Sequence, residues 1–480
     1  MPVDSKHNEY SKWFEIWSKT RDGVSGQERI KEMGTAYLPQ HDGQTVSSYN
    51  AYRNRAQYIN YSGRTLNVFI GQLFRKNPQG IDPLKNYIDN IDLSGSSFNY
   101  FSRKIAREMM TTNRVGVLVN YSDSQKRPYL TMYKTEAIIN WKTEIINTVE
   151  KLTMVMIEGC LYDYTEDKYK PEEYKVWKEL YLENGICKSK EYKAIKNNVT
   201  GAVEIKEIEG SERTPLKNGV PLDFIPFYFI TTNGISVDLD KAVMTDFVNI
   251  NIGHYINSAD NENRLHYTGA ATAILRGWDE SKVFPIGGAA AFQADGGAEW
   301  MTVASDAGLK EEMRHKEEQI AALGSSVLSG KGRYVASAET ANITSQGEYA
   351  TLADISNALS DCMTVIMQFF IEWAGKSTQI KIEYNTDFEV DKINPQMLTA
   401  LMGAVQAGRM SEQTFFYNLQ SYEMYPEGKT FEDEKKEIEE TEKKAIEKRD
   451  KEIEKMMNQN PEGNQDQSLN DDEEMNADGE

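Results

Sequence analysis

The stretch that decides the fold is Leu352–Trp373, LADISNALSDCMTVIMQFFIEW. Its apolar side chains recur at spacings of three and four residues, the period of an α-helix with one buried face. The predicted core positions of this helix are Leu352, Ile355, Leu359, Ile366, Phe370 and Trp373. Because its apolar run is too short to cross a bilayer and contains Gln368 and Glu372, we expect a buried helix and no membrane contact.

Upstream of this helix, the sequence changes from helical patterns to strand patterns. Residues 1–110 are predicted to be mainly helical, with one helix running from Ser47 through Phe74 and ending before Pro78. Strand patterns follow. Residues 161–209 alternate aromatic or β-branched side chains with charged ones, as half-exposed antiparallel hairpins do. The predicted fold class is therefore α+β.

Between the strand region and the deciding stretch, two helices flank a glycine-broken segment. The helices are predicted over Asp240–Thr268 and Asp306–Leu328. Residues 270–303 have short strand patterns interrupted by glycines, and residues 329–345 are predicted to form a loop of small residues.

The chain is strongly acidic. Its 480 residues carry 54 basic and 74 acidic side chains, a formal net charge of −20. Half of this charge lies from Lys429 onward, where residues 431–457 predict a solvated helix and residues 458–480 a disordered tail. A helix docked on a partner is the alternative for 431–457. Because affinity for phosphates comes mainly from Lys and Arg, the balance argues against free nucleic-acid binding through a basic face.

Cysteine usage and the first residues indicate a reducing setting. Cys160, Cys187 and Cys362 are widely spaced and odd in number, which argues against a disulfide framework or a zinc ribbon. The first residues lack the charged flank, apolar run and cleavage site of a signal peptide, so none is expected.

A search for catalytic motifs gives no positive signal. The sequence has no GxxxxGK[ST] phosphate loop, no HExxH zinc motif and no GxSxG elbow. Gly330-Lys331-Gly332 lacks the Ser or Thr that follows Lys in a phosphate loop. His254 and His266 lie twelve residues apart on one predicted helix and are interpreted as ordinary surface histidines. We therefore expect no catalytic residue, cofactor or metal, and no enzyme activity.

The charged helix over Asp306–Leu328 has a narrow apolar stripe. The stripe consists of Leu309, Met313, Ile320 and Leu323. Lys316 and Glu317 stand where its next apolar residue should fall, so the seam has charges on both flanks. Such a seam suits lateral packing against copies of itself or against another chain. A surface helix lying on its own domain is the equal alternative.

Residues 395–420 raise the question of a helix-turn-helix. The Asn394-Pro395 pair opens one helix, and Ser411 caps the next after a short turn. The second helix carries no Arg or Lys to hold phosphates, so a structural helix pair is the preferred interpretation.

The order of these modules resembles that of tailed-bacteriophage portal proteins. Specific stretches over about residues 45–425 are similar to one branch of that family. They are Tyr49–Ala56, Arg64-Thr65, Gly71, Phe74–Lys76, Arg114–Tyr121, Arg127–Leu130, Ile138–Trp141, Asn257–Asp260, His266–Gly269 and Ala338–Thr340. None of these motifs is catalytic, and the specificity lies in their order.

The resemblance implies a portal-like α+β architecture. The implied modules are an α+β wing body at 1–239, stem helices at 240–269 and 305–328, a clip at 270–304, a tunnel loop at 329–345, a long wing helix and strand at 346–394, a helical crown at 395–457 and a disordered acidic tail at 458–480. By the same resemblance, Lys331, Arg333 and Tyr334 would face DNA in the tunnel loop.

The function implied by the resemblance is that of a virion structural protein. A homo-oligomeric ring, usually a dodecamer, would occupy one capsid vertex, after assembly in the host cytoplasm. It would be the channel for packaging and ejecting double-stranded DNA, which passes without sequence preference. The implied partners are the terminase large subunit, a neck adaptor, and the major capsid or scaffold protein. The alternatives are another homo-oligomeric phage scaffold or adaptor without a DNA channel, an acidic hydrolase and a DNA-binding regulator.

Overall fold

A computed structural model describes most of the chain. The described residues are 2–146, 148–165, 168–196, 203–269, 272–275, 298–301, 307–328, 338–388, 395–421, 424–425 and 429–458. The chain divides into two units, Met1–Phe388 and Glu389–Glu480.

The first unit mixes helices and strands, as the α+β prediction requires. Its helices are α1 (Tyr10–Ser25), α2 (Gln27–Glu32), α3 (Val46–Arg55), α4 (Tyr61–Leu73), α5 (Phe98–Thr112), α6 (Met244–Gly269), α7 (Ala307–Leu328) and α8 (Ala338–Trp373). Its strands are β1 (Val115–Ser122), β2 (Arg127–Lys134), β3 (Ile138–Ile146), β4 (Val149–Asp163), β5 (Glu172–Glu183), β6 (Ile186–Lys196), β7 (Val203–Glu207), β8 (Leu216–Lys217), β9 (Val220–Pro221), β10 (Phe227–Thr231), β11 (Gly234–Ile235), β12 (Thr272–Leu275) and β13 (Ala298–Met301).

A four-stranded antiparallel sheet, in the order β11-β10-β1-β2, contributes side chains to the largest apolar core of this unit. Gly116 on β1 has no room for a side chain, because a Cβ there would lie 2.3 Å from the ring of Phe227. Just before β1, the Arg114 guanidinium lies 3.8 Å from the ring centre of Trp141 and 4.0 Å from that of Phe229. Burial lowers the pKa of Arg114 to about 9. The aromatic faces stabilise this cation where water is excluded.

A five-stranded antiparallel sheet, β3-β4-β5-β6-β7, contains the predicted hairpins. The prediction of antiparallel hairpins over residues 161–209 is confirmed, because β4 to β7 pair in sequence order. Side chains from α1, including Tyr10 and Trp17, pack against Met156 and Trp177 on one face of this sheet. The N-terminal helix therefore covers the sheet on one side.

The deciding stretch is helical and lies in the main core. Leu352, Ile355, Leu359, Ile366, Phe370 and Trp373 are all buried there. The helix is longer than the apolar pattern indicated, because α8 begins at Ala338. The loop prediction for 329–345 is therefore wrong over 338–345. Small residues such as Ala carry little penalty in a helix, so their presence does not identify a loop.

One further prediction about secondary structure is wrong, and another lies partly outside the described residues. The helix expected from Ser47 to Phe74 is interrupted between α3 and α4, where the Asn60 side chain accepts a 2.7 Å hydrogen bond from Gly63 N and begins a new helix. For the strand expected before residue 394, the described residues 374–388 contain one isolated antiparallel bridge, Glu383 with Gln79, and residues 389–394 lie outside the described residues. Side chains of α8 accept hydrogen bonds from the backbone N–H groups of this segment instead. Ser360 Oγ, for example, accepts from Tyr384 N at 3.1 Å.

The second unit is helical in its described part. It contains α9 (Pro395–Gln406), α10 (Glu412–Ser421) and α11 (Phe431–Asn458). Gly408 adopts a φ of +66°, which ends the first helix region, and Ser411 Oγ accepts from Thr414 N at 3.1 Å. The isoleucines of α11 are exposed, in agreement with a solvated helix. Of the helices described in either unit, none has both the length and the apolar character of a bilayer span.

Candidate functional site

The helix pair α6 and α7 is the candidate site, because the apolar stripe of α7 predicts either an assembly surface or, equally, a surface helix on its own domain. The two helices flank an antiparallel strand pair in which the backbone of Thr272 pairs with Met301 and that of Leu275 with Ala298. The chain thus leaves α6, makes the β12–β13 pair and returns through α7. At 1.5 Å per residue, α6 extends over about 40 Å.

Hydrogen bonds between polar side chains fix α6 to the N-terminal helices. The Tyr52 hydroxyl donates to Asp260 Oδ1 at 2.6 Å, and Arg55 Nη2 donates to Asn263 Oδ1 at 2.6 Å. Farther along, Asn251 Oδ1 accepts from both the backbone and the hydroxyl of Ser62 at 3.1 Å. These bonds hold one face of α6 against α3 and α4, so α6 has a fixed position in the unit.

The contact between α6 and α7 centres on a buried histidine. His254 Nε2 lies 3.2 Å from Glu317 Oε1, and the Tyr61 hydroxyl donates to the same oxygen at 2.9 Å. The interpretation of His254 as a surface histidine is wrong, since its side chain is fully buried. Its pKa is lowered by burial, against the opposite effect of Glu317. Glu317, one of the two charges that interrupt the apolar stripe, therefore links α7 to α6.

This contact predicts a pH dependence of stability. Because burial favours the neutral imidazole, the unfolded chain binds a proton at higher pH than the folded chain does. Stability should be fully present above the ordinary pKa of 6.5 and should fall as the pH drops below it. His254→Gln keeps a polar contact to Glu317 without titrating, so its urea unfolding should show a smaller loss on acidification. Equal slopes for the two proteins would contradict this assignment.

The four residues of the predicted stripe have different environments. Ile320 is buried in the core of its own chain, and Leu309 and Met313 are half-buried. Leu323 is 41% exposed. Gly324 breaks the helical geometry of α7 and leaves little room for a side chain, since a Cβ would lie 3.1 Å from Phe247. The unit therefore covers one stripe residue fully and leaves apolar surface on the other three.

The other predicted site residues lie partly outside the described chain. Lys331, Arg333 and Tyr334 belong to residues 329–337, which the structure does not describe. His266 lies in the last turn of α6 and is exposed. Within the described residues, no three His, Cys, Asp or Glu side chains form a group that could hold a metal ion.

Sequence reasoning missed the residues that fix the helix pair. Asn251, Asp260 and Glu317 are polar residues that bond across elements far apart in the chain. The available signal was a polar residue at a position where a helical period calls for an apolar one. That signal indicates a buried polar contact, but it does not identify the residue on the other side of the contact.

Comparison with known proteins gives one family match. Residues 243–374 match the model of a domain of unknown function, DUF4055. The match covers less than a third of the chain and extends from the start of α6 through β12, β13 and α7 to the end of α8. A search of curated proteins gave no match.

Three solved structures have a weak likeness to the chain. The neck of an empty gene transfer agent particle, computed with C6 symmetry, aligns at TM-score 0.37 and 12% identity over 78% of this chain and 93% of that chain. A native gene transfer agent virion aligns at 0.38 and 12%, over 80% and 96%. The native neck with C12 symmetry aligns at 0.37 and 11%, over 75% and 89%. At these TM-scores the likenesses do not establish a shared fold.

Proposed function

We propose that the chain is the subunit of a portal-type ring at one vertex of a phage-like capsid. In this role the ring is the channel for DNA packaging and ejection. It is also the docking site for a terminase large subunit, a neck adaptor, and the major capsid or scaffold protein. The role is structural, without catalysis or a cofactor. The sequence motifs that resemble portal proteins support it, and so does the geometry of α6 and α7.

The observation that carries the proposal is the apolar stripe of α7. Its own unit fixes the position of α6 and α7 but leaves Leu323 exposed and Leu309 and Met313 only half-buried. These three incompletely buried apolar residues lie in a line along one helix, which is the arrangement that lateral packing against a neighbouring helix requires. When the same stripe of each subunit meets a different surface of the next, the contact is head-to-tail, and it forms a ring when the rotation between neighbouring subunits closes.

The charge of the chain is compatible with a DNA channel. A net charge of −20 repels a polyanion, so DNA passing through a ring of such subunits would slide rather than stay bound. Lys331 and Arg333 would be the basic residues that guide it, with Tyr334 beside them. Because a ring repeats each residue in every subunit, two cations per chain would give many positive charges around the channel.

The mass and shape of the purified full-length chain test the proposal. We expect native mass spectrometry to find a closed oligomer near twelve subunits, and negative-stain images to show a central hole. Open or variable assemblies would favour the second candidate, an oligomeric phage scaffold or adaptor without a channel. A chain that remains monomeric at high concentration, or forms a compact dimer without a hole, would overturn the proposal.

Replacing Leu323 by aspartate should weaken ring formation without unfolding the subunit. The side chain is exposed in the isolated chain, so its stability should change by no more than about 0.5 kcal/mol. In the ring, a carboxylate in an apolar seam should raise the concentration needed for assembly at least about tenfold. Ile145→Asp, at an exposed position on β3, is the matched control. Rings that form equally well with L323D would exclude this seam.

A further inference from the structure

A basic surface lies on α4 and α5 of this acidic chain, and the exposed positions of the two helices include no Asp or Glu. Neither residues 61–81 nor residues 93–107 contain an Asp or Glu. The outward positions of the two helices form one surface, which we call the basic face. It consists of Arg64, Asn67, Asn99, Tyr100, Arg103 and Arg107. In a chain with 20 more acidic than basic residues, such a surface is a local reversal of charge.

Neutral groups hold two arginines of the basic face, Arg103 and Arg107, in place. Arg107 Nη1 donates to Asn67 Oδ1 at 2.8 Å, which joins α5 to α4. Arg103 Nε donates to Asn99 Oδ1 at 3.0 Å, and its Nη2 donates to the carbonyl oxygen of Phe74 at 3.2 Å. Amide and carbonyl oxygens orient a guanidinium but do not cancel its charge. Arg103 and Arg107 are therefore preorganised, exposed and without a counter-charge from these partners.

The composition of the basic face fits a protein partner better than nucleic acid. Proteins that bind DNA without sequence preference contact several phosphates, and three arginines in a chain of net charge −20 are few for that purpose. Arginine and tyrosine, by contrast, are the residues that carry most binding energy in protein interfaces. The 55% exposed ring of Tyr100, beside Arg103, is an anchor of that kind.

The same unit also exposes a complementary surface. On α8, Asp354, Asn357 and Asp361 are exposed along one stripe, with the two aspartates two helical turns apart. Among the described residues neither aspartate has an ion-pair partner within 4 Å, and Lys381, which interacts with Asp361 at longer range, pairs with Glu383 at 2.6 Å. Carboxylates paired bidentately with arginines are among the strongest polar contacts between proteins. The chain therefore carries both halves of a charge-complementary contact on different helices.

We propose that the basic face is one side of a head-to-tail contact between copies of this chain, receiving the α8 aspartates of the next copy. The proposal rests on the proposed ring and names a contact within it. A contact between two different surfaces is what a closed ring requires, because each subunit must offer one surface to each neighbour.

Charge reversal on the full chain tests the contact. Arg103→Glu combined with Arg107→Glu should raise the concentration for half-assembly at least about tenfold, measured by mass photometry. The control, Lys12→Glu with Lys193→Glu, changes the net charge equally at exposed lysines elsewhere and should assemble like the wild type. Adding Asp354→Arg and Asp361→Arg to the first variant reverses both surfaces and should restore assembly.

The possible results separate this contact from the proposed function. Rings that persist in the Arg103/Arg107 variant, or a double reversal that fails to restore them, would overturn the contact and leave the ring intact. A wild-type chain without rings would overturn both proposals. In a second arm, fluorescence anisotropy measures binding of a short DNA duplex. Binding that is strong in the wild type and lost with Arg103 and Arg107 would instead make the face a nucleic-acid surface.

Discussion

Replacing Leu359 by alanine should lower the free energy of unfolding by about 2–5 kcal/mol. Leu359 is fully buried in the main core, in the middle of α8. The substitution removes apolar contacts and leaves a cavity, because the surrounding side chains are held by the helix and the sheets and relax only in part. Urea unfolding monitored by tryptophan fluorescence, at one protein concentration for all variants, measures the change.

Val365 on the same helix provides the matched control. Its side chain is 49% exposed, so Val365→Ala should change the free energy of unfolding by no more than about 0.5 kcal/mol. Both substitutions place alanine in α8. Differences in helix propensity are therefore small compared with the free energy lost when the buried contacts of Leu359 are removed. If the two variants lose similar stability, α8 does not bury the face described here.

The helical period predicted the buried face of α8, because the spacing of apolar residues within one helix depends only on residues close together in the sequence. Leu352, Ile355 and Leu359 fall on one face of any helix that contains them, and a helix with an apolar face must cover it. The same reasoning predicted the alternating strands of the five-stranded sheet. It could not locate the start of α8 at Ala338, since small residues carry little information about whether a segment is helix or loop.

The fixing of α6 and α7 could not be predicted, because its partners are distant in sequence. Glu317 reads as a solvated charge on a charged helix, yet it accepts hydrogen bonds that involve Tyr61 and His254. Similarly, Arg103 and Arg107 become part of one basic surface only because α4 lies beside α5 in the fold. The net charge of the whole chain concealed this surface, since averages over 480 residues say nothing about one face of two helices.

Replacing Arg21 by alanine should cost about 3–5 kcal/mol of stability, an effect comparable with that of Leu359→Ala. The Arg21 guanidinium bridges two carboxylates, with Nη2 2.6 Å from Glu108 Oε2 and Nε 2.5 Å from Glu136 Oε1. Although burial alone would lower the pKa of Arg21, its hydrogen bonds to Glu108 and Glu136 raise it. Without the guanidinium, two carboxylates would face each other with little access to water.

A further variant separates the two contributions to this loss of stability, namely repulsion between the carboxylates and the loss of packing around Arg21. Adding Glu108→Gln and Glu136→Gln to Arg21→Ala removes both carboxylate charges and should recover a large part of the lost stability. Lys175→Ala, which breaks an exposed ion pair with Glu158 at 2.9 Å, should cost only about 0–1 kcal/mol. If the triple variant is no more stable than Arg21→Ala, the arginine stabilises the unit by packing its apolar stem, and the repulsion between Glu108 and Glu136 contributes little. Glu108 and Glu136 would then tolerate the loss of their cation. The link that Arg21 makes between α1, α5 and the turn before β3 would be steric rather than electrostatic.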